Sequence, residues 1–416
     1  MPTCTIQSVQ VVDARFPLPP GAGSDAVHTD PVYAMALTYL KTDRDLTGVG
    51  LALTLGDGNR LVCEAIKILA QRLDGWSIDA LMAGLGRVMN ELANDPALRW
   101  LGPHKGVVHL ALASINNACW DLWAKTQGVP LWKLLLDLSD EELVATLDLS
   151  YLEDEITVAD AIRMLREERP KRADREPVVK SGYPGYDTSV GWMAYDDSRV
   201  RELTLRAIDC GFRAFKLKVG SNDEERDVRR AAMLRKIAGD QGILMFDANQ
   251  RWNPPDALRM CKALAAFHPH WIEEPTHPDD IHAHSELARA IAPDRIAAGE
   301  HVPNRVIFKN FLLYSGVHFV QADCTRLAGV SEFVAVSLLA KKHGLPIVPH
   351  VGDMGQIHQH LVLFNHIALN HEIVFLEHIP HLRSHFLFPA EVAGGVYRTP
   401  QQPGASTDMR YAADAH

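Results

Sequence analysis

The sequence has no surplus of positive charge: 42 Lys and Arg residues face 52 Asp and Glu, a formal charge of -10 at pH 7. Binding to a phosphate backbone draws on a basic surface that releases counterions, so nucleic acid is not an expected partner. No C-x-x-C pair occurs, and the cysteines at 4, 63, 119, 210, 261 and 324 lie far apart in a chain too large to need staples. Reduced thiols are expected. No uninterrupted apolar run reaches the length of a bilayer, and MPTCTIQSVQVVDARF lacks a basic region followed by an apolar one. These absences point to a soluble, cytoplasmic protein with no membrane partner. Nor does a G-x-G-x-x-G follow an early strand, which argues against an open dinucleotide-binding sheet.

What is present is enough apolar material for large cores: 47% of 416 residues. Residues 5–16, 33–41 (YAMALTYLK) and 48–54 (GVGLALT) read as strands of a small antiparallel sheet. From about 60 the period becomes helical, ending in a long apolar helix from Val107 to Lys125. Residues 1–140 therefore read as an α+β capping domain, into which GAGSDAVHTDP (21–31) is inserted as a mobile loop. The charged stretch 154–185, with interleaved signs, reads as a solvated helix and connector.

Beyond it, short apolar runs (FRAFKLKV, GILMFDA, HWIEEP, RIAAGEH, HFVQADC, PIVPHV, IVFLEH) alternate with segments long enough for helices. Such repetition predicts parallel strands with right-handed crossovers, closed into a (β/α)8-type barrel over 141–380. The tail, 381–416, is expected to pack back on the cap. The histidines at 268, 270, 277, 282 and 284 read as solvated surface rather than a metal site.

Nearly every barrel strand ends in an ionisable residue: Lys216 and Lys218, Asp247, Glu273 and Glu274, Glu300, Asp323, His350. The carboxyl ends of barrel strands converge on one mouth, so these residues become neighbours. Asp247, Glu273 and Glu300 would repel one another without a hard cation, and an all-oxygen set with open positions suits Mg2+. Taken singly, each acid is as well explained by a helix cap or a surface charge. Lys216 and Lys218 share parity and point inward if Phe215, Leu217 and Val219 pack outward. Mutual repulsion would then lower the pKa of one and make it a general base, unless both simply pair with carboxylates. Asp323 and His350 end consecutive strands, where the carboxylate can orient the imidazole for proton transfer.

Together K-x-K (216–218), D-A-N-Q (247–250), W-I-E-E-P (271–275), G-E-H (299–301), Q-A-D (321–323) and P-H (349–350) resemble the enolase superfamily. GSDA (23–26), DPVY (30–33), LRWLGPHKGV (98–107), YDTSVGW (186–192) and NQRW (249–252) are similar to its L-fuconate dehydratase subgroup, among the mandelate racemase-like acid-sugar dehydratases. The resemblance implies a hydro-lyase in which Asp247, Glu273 and Glu300 bind Mg2+ and Lys218 removes the proton α to a carboxylate. Lys216 stabilises the enediolate, and His350, oriented by Asp323, protonates the departing 3-hydroxyl. It further implies that Gly23, Ser24, Asp25, Tyr33, Lys216, Asn249 and His301 contact a small-molecule sugar acid such as L-fuconate or L-galactonate. A homo-oligomer is also expected, since family members are usually multimeric. Two positions depart from the subgroup: Val374 stands where an eighth-strand Glu is expected, and Asp353 where a glycine is. Epimerisation of a 2-hydroxy acid, or a barrel that only binds, are the alternative readings.

Overall fold

The computed structural model describes residues 4–102, 104–351 and 356–410; Asp353 lies outside them. It opens with an antiparallel sheet of β1 (Ile6–Pro17), β2 (Val32–Thr42) and β3 (Thr47–Leu55), with β2 central. The near-continuous apolar text of β2 has a structural cause, because both of its faces are covered. Ala36, Leu40 and Ala52 pack on the helix Gly106–Gln127, while Met35, Leu37 and Leu51 pack against Phe16 and against Leu382, Phe386 and Met409 from the far end of the chain. The helix lies so close that a Cβ at Gly50 would clash with the backbone of Ser114 and Ala118.

That helix also joins the cap to the rest of the protein. Asn117 donates to the carbonyls of Leu51 at 3.1 Å and Cys324 at 3.0 Å, and Trp120 Nε1 and Asn116 Nδ2 both donate to Ser331 Oγ. Each of these buried polar groups is satisfied by its partner element, which fixes the orientation of cap and barrel as well as their contact.

The barrel consists of β4 (Tyr183–Asp187), β5 (Ala214–Lys218), β6 (Ile243–Asp247), β7 (Trp271–Glu273), β8 (Ile296–Ala298), β9 (Phe319–Val320), the single bridge Val320–Ile347, and β10 (Leu376–His378), which pairs back onto β4. Its parallel register sets Lys218, Asp247 and Glu273 side by side in one row. One layer below, Ala214, Met245, Trp271, Ala297, Phe319, Val348 and Val374 fill the interior. A packed apolar floor therefore carries a charged layer.

The structure corrects the sequence reading in several places. The first barrel strand, β4, lies partly inside the stretch read as a connector; Pro184 and Gly185 disguise it. Pro184 pairs only with the short strand β12 of a hairpin, β11 (Val392–Ala393) and β12 (Val396–Tyr397), and a Cβ at Gly185 would press on the Tyr397 ring. The tail thus meets both parts of the molecule: 392–397 extends the barrel, while Thr407 Oγ1 donates to the Val49 carbonyl and Asp121 accepts from Ala405 N. Of the clustered histidines, His284 is buried with Nδ1 at the Asp280 carbonyl, and His270 is half-buried against Trp271 and Phe319. No helix among the described residues is long and apolar enough to cross a membrane. Replacing Gly50 by Ala should cost about 1–3 kcal/mol or more by overpacking the cap, read as a fall in the urea midpoint at unchanged slope.

Candidate active site

Strand parity turns Lys216 and Lys218 into the barrel while Phe215, Leu217 and Val219 pack outward. Lys216 is 1% exposed and lies beneath the cavity, donating to Glu273 Oε1 at 2.6 Å, with Glu377 Oε1 at 2.9 Å and Asp247 Oδ2 at 3.4 Å. Lys218 donates to Asp247 Oδ2 at 2.6 Å. Burial acts to lower the Lys218 pKa, but Asp247, with Asp25 and Glu300 adding to it, holds the group above the ordinary lysine value; Lys216 adds only a smaller downward push. The expected mutual depression is overridden by the acids between the two amines. Trp271 Nε1 donates to the other oxygen of Glu273, whose pKa is pushed up to about 8 by burial and by Asp247.

The loops after β6 and β7 carry the next layer. Asn249, Gln250 and Glu274 adopt positive φ (44°, 61° and 42°), a strained conformation for these side chains that the surrounding contacts impose. Gln250 donates to Glu274 and lies 2.7 Å from His301 Nδ1. The same nitrogen is 3.0 Å from Glu274 Oε1 and 3.2 Å from Glu300 Oε1. Burial opposes protonation of His301, but Glu274 lifts its pKa to about 10. Opposite, His350 Nδ1 faces Asp323 Oδ2 at 2.7 Å and its Nε2 lies 3.4 Å from Glu300 Oε2. Burial would keep this imidazole neutral, yet Glu300 and Asp323 raise it to about 9.

Above this layer a cavity of about 530 Å³ separates cap from barrel. Lys218, Asn249, Glu300, His301 and His350 line its barrel side; Gly23, Asp25 and Tyr33 reach it from the cap. Ser24 does not. Its hydroxyl donates to the Gly21 carbonyl at 2.7 Å and accepts from Ala194 N at 2.8 Å, pinning to the barrel a loop expected to be mobile. Asp25 is tied within that loop by the backbone of Val27 and His28 and by the His28 ring.

The missing eighth-strand acid is corrected too. Glu377 lines the cavity, accepts from Thr188 Oγ1 at 2.6 Å and Val351 N at 3.1 Å, and pairs with Lys216. Parity counted from Val374 puts Glu377 outside, but alternation breaks there: Val374 and Phe375 both contact the barrel floor, Leu376 packs outward, and Glu377 turns in. Gln250, Arg326 and Trp192 also line the cavity; Gln250 and Trp192 fall within motifs of the resemblance that carried no assigned role for them, and Arg326 lies in none, since an isolated residue in a loop carries no periodic signal.

The chemistry of the donor set, carboxylate oxygens, suits a hard divalent cation, although among the described residues the acids drawn close together with a histidine are Glu274 and Glu300 with His301, and Glu300 is not brought as close to Asp247 and Glu273. Asp247, Glu273, Glu274, Glu300 and Glu377 are all buried around Lys216, Lys218, His301 and His350, so carboxylate charge exceeds the fixed ammonium charge. Burial first, and then the neighbouring Asp247, push Glu273 upward, and Asn249 Oδ1 is buried without a partner.

Residues 199–413 match the family described as Enolase C-terminal domain-like. L-galactonate dehydratase of Hypocrea jecorina is 41% identical over 99% of this chain and 93% of its own length. Crystal structures of similar shape include human Mitochondrial enolase superfamily member 1 (TM-score 0.94, 39% identity, 98% of this chain and 95% of that one). Another is L-talarate/galactarate dehydratase from Salmonella typhimurium LT2 liganded with Mg and L-lyxarohydroxamate (TM-score 0.79, 25% identity, 100% and 92%). The charge layer itself is open to test: Lys216→Met, unfolded by denaturant in chelator, should lose about 3–5 kcal/mol, because Glu273 and Glu377 are left buried without their ammonium. A loss below about 1 kcal/mol would show that the acids are compensated elsewhere.

Proposed function

The chain belongs to the enolase superfamily, and from that premise we propose that it dehydrates a six-carbon aldonate, L-galactonate or its 6-deoxy relative L-fuconate, to the 2-keto-3-deoxy acid. The carrying observation is that Lys218 and His350 face one cavity over a floor of buried carboxylates.

Asp247, Glu273 and Glu300 are the residues that would hold Mg2+. When bound, the ion would supply electrostatic chemistry, offsetting the carboxylate charge that keeps Lys218 protonated and stabilising the negative charge that builds at the substrate carboxylate. Lys218, once neutral, takes the proton α to that carboxylate. His350 Nε2, with Nδ1 committed to Asp323, gives a proton to the 3-hydroxyl as the C3–O bond breaks and water leaves; the resulting enol becomes the ketone by taking a proton at C3 and releasing that of its 2-hydroxyl. Lys216, held among Glu273, Glu377 and Asp247, keeps a positive charge fixed under the reacting carbons.

The cavity walls support an uncharged far end. Leu53, Leu55, Leu61, Val62, Val107 and Leu110 line the cap side, where a methyl or hydroxymethyl group is accommodated and a second carboxylate would lose its hydration without a partner. In this division of labour the cap (1–140) supplies the apolar wall, the barrel (141–380) the charges, and the tail (381–416) the brace. The cytoplasm is the compartment we favour, since Cys4, Cys63, Cys119, Cys210 and Cys261 form no disulfide. A homo-oligomer remains our expectation, checked by light scattering.

With Mg2+ present, L-galactonate or L-fuconate should yield a 2-keto-3-deoxy acid and galactarate should not. Lys218→Ala should lower kcat by at least about a thousandfold. Deuterium entering C2 without loss of water would instead select the epimerase reading. Removing the metal should abolish turnover, and restoring it at about 100 times its dissociation constant should stabilise the fold by roughly 2.7 kcal/mol, seen as a rise in Tm.

A further inference from the structure

Behind His350 lies a second imidazole that the mechanism above does not use. His358, near the start of the helix Gln356–Leu369, is 0% exposed. Its Nε2 lies 3.1 Å from Asp323 Oδ1, 3.2 Å from Cys324 N and 3.4 Å from Cys324 Sγ, so that in the tautomer protonated at Nε2 the ring donates to Asp323; the ring meets Phe333 edge-on. The other nitrogen, Nδ1, is buried with no partner.

Such a placement is costly, because an imidazole buried with one polar atom unsatisfied is less stable there than an aliphatic side chain of similar size. What the histidine contributes is contact with Asp323. That carboxylate is engaged on every side: Oδ2 by His350 Nδ1, and Oδ1 by Thr325 N and Thr325 Oγ1, each at 2.7 Å, with His358 closing the remaining approach.

We propose that His358 is a positioning residue for proton transfer: it fixes the rotation of the Asp323 carboxylate and, through Asp323, the ring orientation and tautomer of His350. Asp323 is held between two imidazoles, one turned to the cavity and the other to the protein interior. Loss of the inner one leaves Oδ1 held from the Thr325 side alone, so the carboxylate can tilt about its Cβ–Cγ bond, the Nδ1–H···Oδ2 bond weakens and His350 Nε2 no longer points steadily at the substrate. Lys218, on the opposite side and paired with Asp247, is untouched. The assignment rests on the dehydration reading, in which Lys218 and His350 serve separate steps.

Two variants of the full-length protein separate position from packing. In His358→Gln the side-chain amide reaches about as far as Nε2 did, whereas in His358→Asn it stops short. The Asn variant should lose at least about tenfold in kcat with KM changed less than twofold, and the Gln variant should stay within about threefold of the parent. In the Asn variant deuterium exchange at C2, which needs only Lys218, should persist while elimination slows, so the exchange-to-elimination ratio rises. A low-field proton resonance from His350 Nδ1–H should be seen in the parent and the Gln variant and broadened in the Asn variant.

Parent-like turnover, ratio and resonance in both variants would overturn the assignment, as would equal impairment of both. Should the parent itself neither exchange nor eliminate, the dehydration reading fails, and the resonance alone then decides whether His358 positions His350.

Discussion

The structure turns on the sharing of positive charge beneath the cavity. Asp247, Glu273 and Glu377 converge on the single ammonium of Lys216, and Asp247 also accepts from Lys218. None of these groups has water to fall back on, so each is tolerable only through its partners. The row Lys218–Asp247–Glu273 exists because three parallel strands are in register, and the apolar floor keeps that row dry. Fold and charge layer are therefore one problem. Strands that slipped by a residue would turn the carboxylates into the surrounding helices and the aliphatic side chains into the mouth.

Much of this was legible because chemistry at a barrel mouth has a sequence period. The strand ends recur at regular intervals, and alternation within FKLKV separates the two inward lysines from their outward neighbours. Legibility failed where a local rule was broken by a distant contact. Strand β4 contains Pro184 and Gly185, which read as loop, and only the hairpin at 392–397 explains why both are tolerated. Glu377 is hidden because strict alternation counted from Val374 points it outward, whereas the backbone departs from alternation at Val374 and Phe375. Ser24 was placed in the pocket by resemblance, although its hydroxyl is consumed by the backbone at 21 and 194. His358 and His284 were out of reach, because a histidine on an apolar helix has the same local text whether it meets a carboxylate or only a carbonyl.

The cap is as much a part of the site as the barrel. Its aliphatic wall closes one side of the cavity, and its long helix is joined to the barrel through amide and hydroxyl groups that find partners only when the two parts are docked. Asn117 bonds one carbonyl from each part, Leu51 on the sheet and Cys324 just beyond the Asp323 strand end. A shift of the cap would thus disturb the backbone next to the residue that orients His350. Under the proposed dehydration, recognition of the sugar chain and placement of the proton donor would share a physical link.

The two-faced burial of β2 also bears on how the molecule is made. Met35, Leu37 and Leu51 precede the whole barrel in sequence, yet their cover includes Leu382, Phe386 and Met409, which follow it. For most of translation this sheet presents a bare aliphatic face and two unpaired edges, the state most open to misassociation. A sheet made before the barrel is thus closed only by a segment made after it, so the barrel is enclosed between two parts of one core.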